Sequence, residues 1–159
     1  MIEIIITPTM LIEARDKGAE MGRLRNSITK GQGNMTGYLG EAVAQVVLGG
    51  SLANTYDYDL VLDDGTTIDV KTKLTSVKPL ETYSCSVAKL NTTQKCDYYA
   101  FTRIKNDYSV GWFLGVCSKE RYYKEATFME KGTVDPDNGY VVRSSCYNLP
   151  IHRLQAVLP

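Results

Sequence analysis

Two alternating stretches separated by a tight polar turn constrain this chain more than any other feature. In Thr55-Tyr56-Asp57-Tyr58-Asp59-Leu60-Val61-Leu62, residues Tyr56, Tyr58, Leu60 and Leu62 fall on one face and Thr55, Asp57, Asp59 and Val61 on the other. That is the period-two pattern of a half-buried strand. Asp63-Asp64-Gly65 has turn chemistry. Thr66 to Lys73 alternates again, with Ile68 and Val70 on one face and Asp69, Lys71 and Lys73 on the other. The two stretches predict a hairpin.

Register follows from which residues meet. With the three-residue loop Asp63 to Gly65 and Gly65 in the left-handed position of a bulged turn, Leu62 opposes Thr66, Leu60 opposes Ile68, Tyr58 opposes Val70 and Asp59 opposes Asp69. A two-residue Asp64-Gly65 turn would set Asp59 against Val70 and mix polar with apolar faces, which a buried sheet resists, so the longer loop is preferred. Two carboxylates then face each other with Cβ atoms about 5 Å apart, a repulsive pair unless a cation offsets it. Lys71 lies on the same face, two residues beyond Asp69.

The rest of the chain reads as one α/β domain: 159 residues with no internal repeat and no Pro/Gly/Ser-rich linker. A short strand over Glu3 to Thr7 leads through Pro8 into a helix over Met10 to Arg25. Gly31, Gly33 and Asn34 mark Ser27 to Thr36 as a mobile connection. A second helix is expected from Gly37 to Leu48, with Thr36 as N-cap and Gly49-Gly50 as its stop. Beyond the hairpin come a strand over Tyr83 to Val87, a short helix or turn over Ala88 to Lys95, and strands over Asp97 to Lys105 and Val110 to Cys117. Ser118 caps a short helix to Glu125, and Tyr140 to Leu158 holds edge strands. The core order is helix, three strands, helix, strand.

Several function classes drop out. No apolar run approaches the roughly 18 residues of a membrane span, and the N-terminus lacks the basic flank of a signal peptide, so a cytoplasmic protein with no membrane partner is expected. Cys85, Cys96, Cys117 and Cys146 are far apart with no CxxC pair, which argues for reduced packing thiols rather than a zinc cluster. There is no GxxxxGK[ST] phosphate loop. His152, the only histidine, is isolated near the C-terminus, and Tyr56, Tyr58, Tyr98 and Tyr99 are assigned to the core. The 18 basic and 18 acidic residues balance, but their distribution does not: Asp57, Asp59, Asp63, Asp64 and Asp69 are followed by a mainly basic stretch from Lys71 to Lys105. An acidic knot beside a basic stretch suits a divalent cation next to a polyanion.

The helical Glu41, Asp59, Asp69 and Lys71 converge in this reading. Hard carboxylate oxygens suit Mg²⁺ or Mn²⁺, completed by waters and a substrate phosphate. Such a site activates water for in-line attack on a phosphodiester. Lys71, a compact charge, is placed to steer or deprotonate that water and to stabilise developing negative charge. The bland alternative is a surface ion pair between Lys71 and Asp57 across the hairpin.

Asp59, a hairpin, then Asp69-Val70-Lys71, preceded by a helical acid in Gly37-Tyr38-Leu39-Gly40-Glu41, resembles the PD-(D/E)XK nuclease superfamily over about Gly37 to Arg103. The proline of the family name is absent, since Tyr58 precedes Asp59. The resemblance implies a restriction-endonuclease-like α/β fold, a central mixed β-sheet flanked by helices in the order αβββαβ. It also implies a metal-dependent nuclease acting on phosphodiester bonds, in DNA rather than RNA. By motif position Asp59 and Asp69 would ligate the metal, Val70 would offer its carbonyl, Glu41 would complete the shell directly or through water, and Lys71 would be the catalytic lysine. Gln94 resembles the accessory polar residue some members place beside that lysine. Phosphate contacts are expected from Arg15, Lys17, Arg23, Arg25, Lys30, Lys73, Lys78, Lys89 and Lys95. A homodimer would suit cutting two strands, and the small size suits a phage or mobile-element gene. The rival reading is a non-catalytic DNA-binding or assembly protein on the same fold.

Overall fold

A computed structural model describes residues 1–21, 32–53, 55–135 and 139–158. The elements in chain order are β1 (Ile2–Ile5), α1 (Pro8–Met21), α2 (Gln32–Leu48), β2 (Ser51–Leu52), β3 (Leu60–Val61), β4 (Thr67–Thr75), β5 (Ser84–Ala88), β6 (Tyr98–Lys105), β7 (Val110–Ser118), α3 (Lys119–Glu125), β8 (Thr127–Met129) and β9 (Cys146–Pro150). Short 3₁₀ turns cover Lys89–Thr93 and Ile151–Arg153. A six-stranded mixed sheet runs in the order β1-β7-β6-β4-β3-β2, and a second, antiparallel sheet runs β5-β9-β8. Only β4 and β6 pair in parallel within the large sheet. A parallel pair needs a crossover, and here it passes through β5 and the 3₁₀ turn Lys89–Thr93.

The hairpin keeps the expected register at its tip. Leu60 pairs with Ile68 and Val61 with Thr67. Leu62 N–H donates to Thr66 O at 2.9 Å, Gly65 N–H donates to Leu62 O at 2.9 Å, and Gly65 has φ +87°, the left-handed geometry the three-residue loop requires. The expected long strand over 55–62, however, shrinks to Leu60–Val61. Thr55 Oγ1 accepts from Tyr58 N–H at 3.0 Å and donates to Tyr58 O at 2.8 Å. This closes a local turn that competes with the ladder. Tyr56 is therefore 72% exposed rather than in the core, and Tyr58 is only partly buried. Tyr99 is fully buried, as expected.

Other boundaries are corrected. Helix α2 begins at Gln32, not Gly37, so Thr36 is a buried residue within the helix rather than its N-cap, and 32–36 are helical rather than a loop. Residues 22–31, with Arg23, Arg25 and Lys30, lie outside the described residues. The third strand of the expected core, β5, belongs to the small sheet, while the short helix or turn expected after it is the 3₁₀ turn. Ser118 does cap α3, accepting from Arg121 N–H at 3.4 Å. Gly49, with φ +74°, closes α2 as expected, its N–H reaching Gln45 O at 2.8 Å.

Alternation along β4 and β6 serves two cores. Ile68, Val70, Ala100 and Ile104 pack with Leu39, Val43 and Ala44 of α2. Tyr99, Phe101, Trp112 and Leu114 pack on the opposite face with Tyr122 of α3 and with Cys85, Val87 and Leu149 of the small sheet. Tyr122 OH lies 2.9 Å from Cys85 O and 2.7 Å from Tyr147 O, fastening α3 to that sheet. The four cysteines are free, and burial pushes the Cys85 thiol up to about 12. Among the described residues, no helix is long and apolar enough to cross a membrane.

Helix α2 rides unusually close to the sheet because of Gly40. A Cβ there would lie 1.8 Å from Thr72 Oγ1 and 2.6 Å from Thr102 Oγ1, two hydroxyls that share a 2.9 Å hydrogen bond. Ala normally outscores Gly in a helix by about 1 kcal/mol. Gly40→Ala is nevertheless expected to destabilise the protein by about 1–3 kcal/mol, because the overpacked helix must lift away from β4 and β6. Thermal unfolding checks it, and an unchanged or raised Tm would show that the helix has room to shift.

Candidate active site

Glu41, one residue after Gly40 on the closely seated α2, lies within electrostatic reach of Asp59 and Asp69, at the open end of the β3–β4 hairpin. There the ladder breaks. Asp59 N–H donates to Ile68 O at 2.9 Å, one residue short of a regular Asp59–Asp69 pairing, and Asp59 Oδ2 accepts from Val70 N–H at 2.7 Å. The carboxylate thus takes the place a backbone carbonyl would have held. Asp69 is 3% exposed.

Lys71 Nζ lies 2.6 Å from Asp69 Oδ2, with side-chain exposures of 16% and 4%. This contact is an ion pair without hydrogen-bond alignment, so Asp69 Oδ2 is buried with a charge beside it and no hydrogen-bond donor. Lys71 Nζ donates instead to Gln94 Oε1 at 3.0 Å. The orientation of Gln94 follows from its other end, where Nε2 donates to Tyr56 O at 2.7 Å. Lys119 Nζ donates to the Gln94 carbonyl, and Asp57 Oδ1 accepts from Lys95 N–H at 3.0 Å, so the loop before β3 and the segment before β6 hold each other. Asp57 is therefore engaged away from Lys71. Lys119 carries no sequence signal for this role; only the fold brings it to Gln94.

Asp59 and Glu41 resist ionisation. Burial, followed by the negative charges of Glu41 and Asp69, raises Asp59 to about 8 against the pull of the Val70 N–H. Burial raises Glu41 to about 7, with Lys17 opposing and Asp69 adding to the rise. Lys17 Nζ also sits 5.8 Å from the ring centroid of Tyr38, so this cation borders the acidic group. Glu41, Asp59 and Asp69 thus act on one another electrostatically. Yet among the described residues no group of three or more His, Cys, Asp or Glu side chains is gathered tightly enough to hold a metal ion by itself.

The sequence matches no family model and no curated protein. What the site can do has to be read from its chemistry. The structure brings Asp59, Asp69, Val70, Lys71 and Gln94 together and sets Glu41 within electrostatic reach. Of the other sequence candidates, Lys17 borders the acids and Lys73 follows Lys71 along β4, while Arg23, Arg25 and Lys30 lie outside the described residues. Lys89 Nζ stands 5.7 Å from the ring centroid of Phe128, and His152 Nδ1 lies 3.2 Å from Glu81 O as part of a structural link.

Proposed function

We propose that the protein is a metal-dependent nuclease hydrolysing phosphodiester bonds in DNA, on a sheet of the restriction-endonuclease-like kind. The observation that carries this reading is the buried Asp69–Lys71 pair, with Asp59 hydrogen-bonded to the intervening Val70 and Gln94 orienting the lysine. A purely structural ion pair has no need of a further acid turned toward it at the cost of its own ionisation.

The donor set fits Mg²⁺ or Mn²⁺. Asp69 Oδ2 is a buried oxygen with no aligned hydrogen-bond donor, its neighbour being the Lys71 ammonium at 2.6 Å, and Asp59 and Glu41 supply further hard oxygens kept from full charge by burial. Mg²⁺ is commonly held by one or two carboxylates while keeping several waters, so a closed protein cage is not required. Asp59, Asp69 and the Val70 carbonyl would hold it, with Glu41 acting directly or through water. When bound, such a cation supplies charge neutralisation and a more acidic water for in-line attack on phosphorus. Lys71 is fixed by Gln94 so that its ammonium faces the acids, where it orients the attacking water and neutralises charge growing on the phosphate. Lys17 borders the acids, and Lys73 lies two residues beyond Lys71 on β4; both draw the polyanionic backbone toward the site.

The rival, a non-catalytic nucleic-acid-binding protein, is favoured by one observation: the acids do not close into a metal-binding group of three. Cleavage decides. Plasmid, linear, single-stranded and branched DNA, and RNA, are incubated with Mg²⁺, Mn²⁺ or EDTA, with Asp69→Ala as the control for contaminating nuclease. Metal-dependent cutting absent from the variant is expected. Binding without cutting under every metal would transfer the protein to the rival class.

A further inference from the structure

Lys73 lies two residues beyond Lys71 on the same face of β4, about 7 Å further along the strand. In the parallel β4–β6 ladder its register partner is Arg103. Two cations therefore stand side by side on adjacent strands. Like charges so placed repel, and among the described residues no ion pair neutralises either one.

Their surroundings are a cavity. A pocket of about 250 Å³ is lined by Lys71, Lys73, Ser86 and Arg103, and a larger one of about 910 Å³ shares the last three and adds Arg143, with Asp135 as its acid. The space thus runs on from the candidate catalytic lysine, and its cations outnumber its carboxylates. Lys73 is crowded by protein and yet reaches solvent through this space; the crowding, then Arg103, lowers its proton affinity. Lys73 Nζ donates to Ser86 Oγ at 2.6 Å, and Arg103 Nη2 donates to Ser84 O at 2.9 Å. These bonds orient the pair and use few of its donors, since an ammonium has three and a guanidinium five.

We infer that Lys73 and Arg103 together bind one phosphate of a nucleic-acid strand, the neighbour of the phosphate cut at Lys71. The inference rests on the nuclease reading and extends it, because it makes the substrate a strand that continues past the cleaved bond. A merely structural pair, tying β4 and β6 to the small sheet, would affect stability and leave strand binding alone.

The test is strand binding in EDTA, where cutting plays no part. Fluorescence anisotropy of a short labelled DNA strand and of its duplex is measured across a salt series for wild type, Lys73→Gln, Arg103→Gln and Lys105→Gln, with Tm recorded for each. Each of the first two variants is expected to bind about tenfold more weakly and to flatten the salt slope by about 0.7–0.9, one phosphate's share. Lys105→Gln, outside the cavity and paired with Asp107, should match wild type. Should Arg103→Gln fail to fold, Lys73→Gln decides alone, since its amide can still donate to Ser86. Wild-type affinity and slope in the folded variants would overturn the subsite and leave the nuclease reading standing. A wild type that binds no strand in EDTA at any salt would overturn the subsite as well, while cleavage with Mg²⁺ or Mn²⁺ decides the nuclease reading separately.

Discussion

Lys71→Ala is expected to lower the cleavage rate by about 10²–10³-fold at saturating DNA and Mg²⁺, the usual cost of removing one preorganised group that stabilises transition-state charge. The geometry sets the size of the effect. Lys71 is mostly buried, 2.6 Å from Asp69 and 3.0 Å from Gln94, so neither water nor a nearby cation can readily replace it. Lys71→Arg should not restore the rate, because a planar guanidinium does not fit a position shaped for a compact ammonium between one carboxylate and one amide oxygen. Gln94→Ala should cost less, roughly tenfold, since the lysine keeps its charge and loses one orienting acceptor. Lys71→Ala also leaves Asp69 buried without its counter-charge, and breaking such a pair typically costs about 3–5 kcal/mol. Single-turnover rates therefore need to be taken well below the variant's Tm, with DNA binding in EDTA as the second readout. Retained binding with lost cleavage supports the assigned role; a rate within a few-fold of wild type would remove Lys71 from the chemistry.

Sequence patterning reached the tip of the hairpin because Leu60 and Ile68 had to face the same core, and a one-residue slip would have exposed both. It placed Asp59 beside Asp69 for a partly different reason from the one observed. Regular pairing was expected to bring them together, whereas Thr55 turns the chain out of the ladder and Asp59 returns through its side chain to Val70 N–H. A hydroxyl closing a local turn leaves no mark on an alternating pattern. The start of α2 was obscured by Gly33 and Asn34, residues that disfavour a helix in isolation. Packing outweighs propensity there, as Met35 and Leu39 join the core.

The small sheet was out of reach for another reason. Ser86 meets Asn148, 62 residues away, and nothing in either short segment specifies the other. The same holds for Lys73 and Arg103, whose side-by-side placement depends on β4 and β6 pairing in parallel. Thus the residues that one hairpin brings together were legible, while the groups lent by β6, the small sheet and Lys119 became visible only with the fold.

The acids make a further demand, on stability. In EDTA the protein is expected to become less stable as pH rises from about 4 to about 8. Glu41 and Asp59 keep their protons in the folded state up to about 7 and about 8, whereas the unfolded chain releases them near the ordinary values of 4.5 and 3.8. Between those limits the folded state binds more protons than the unfolded one, so stability falls with pH. The stabilising contribution is complete below about pH 4 and gone above about pH 8. With one histidine in the chain, few other side chains titrate there. The loss should be on the order of a few kcal/mol, or about 10 °C in Tm for a chain of this length. Asp59→Asn should flatten the curve and exceed wild type at pH 8 in EDTA, since an amide oxygen can still accept from Val70 N–H without carrying charge. Mg²⁺ should raise the wild-type Tm more at pH 8 than at pH 5, because the cation competes with the protons held by the same acids, and should do little for Asp59→Asn. Thermal melts across pH, with and without Mg²⁺, read all of these at once. A wild-type Tm that stays level from pH 5 to 8 in EDTA would mean that the acids are relieved by water rather than waiting for a cation.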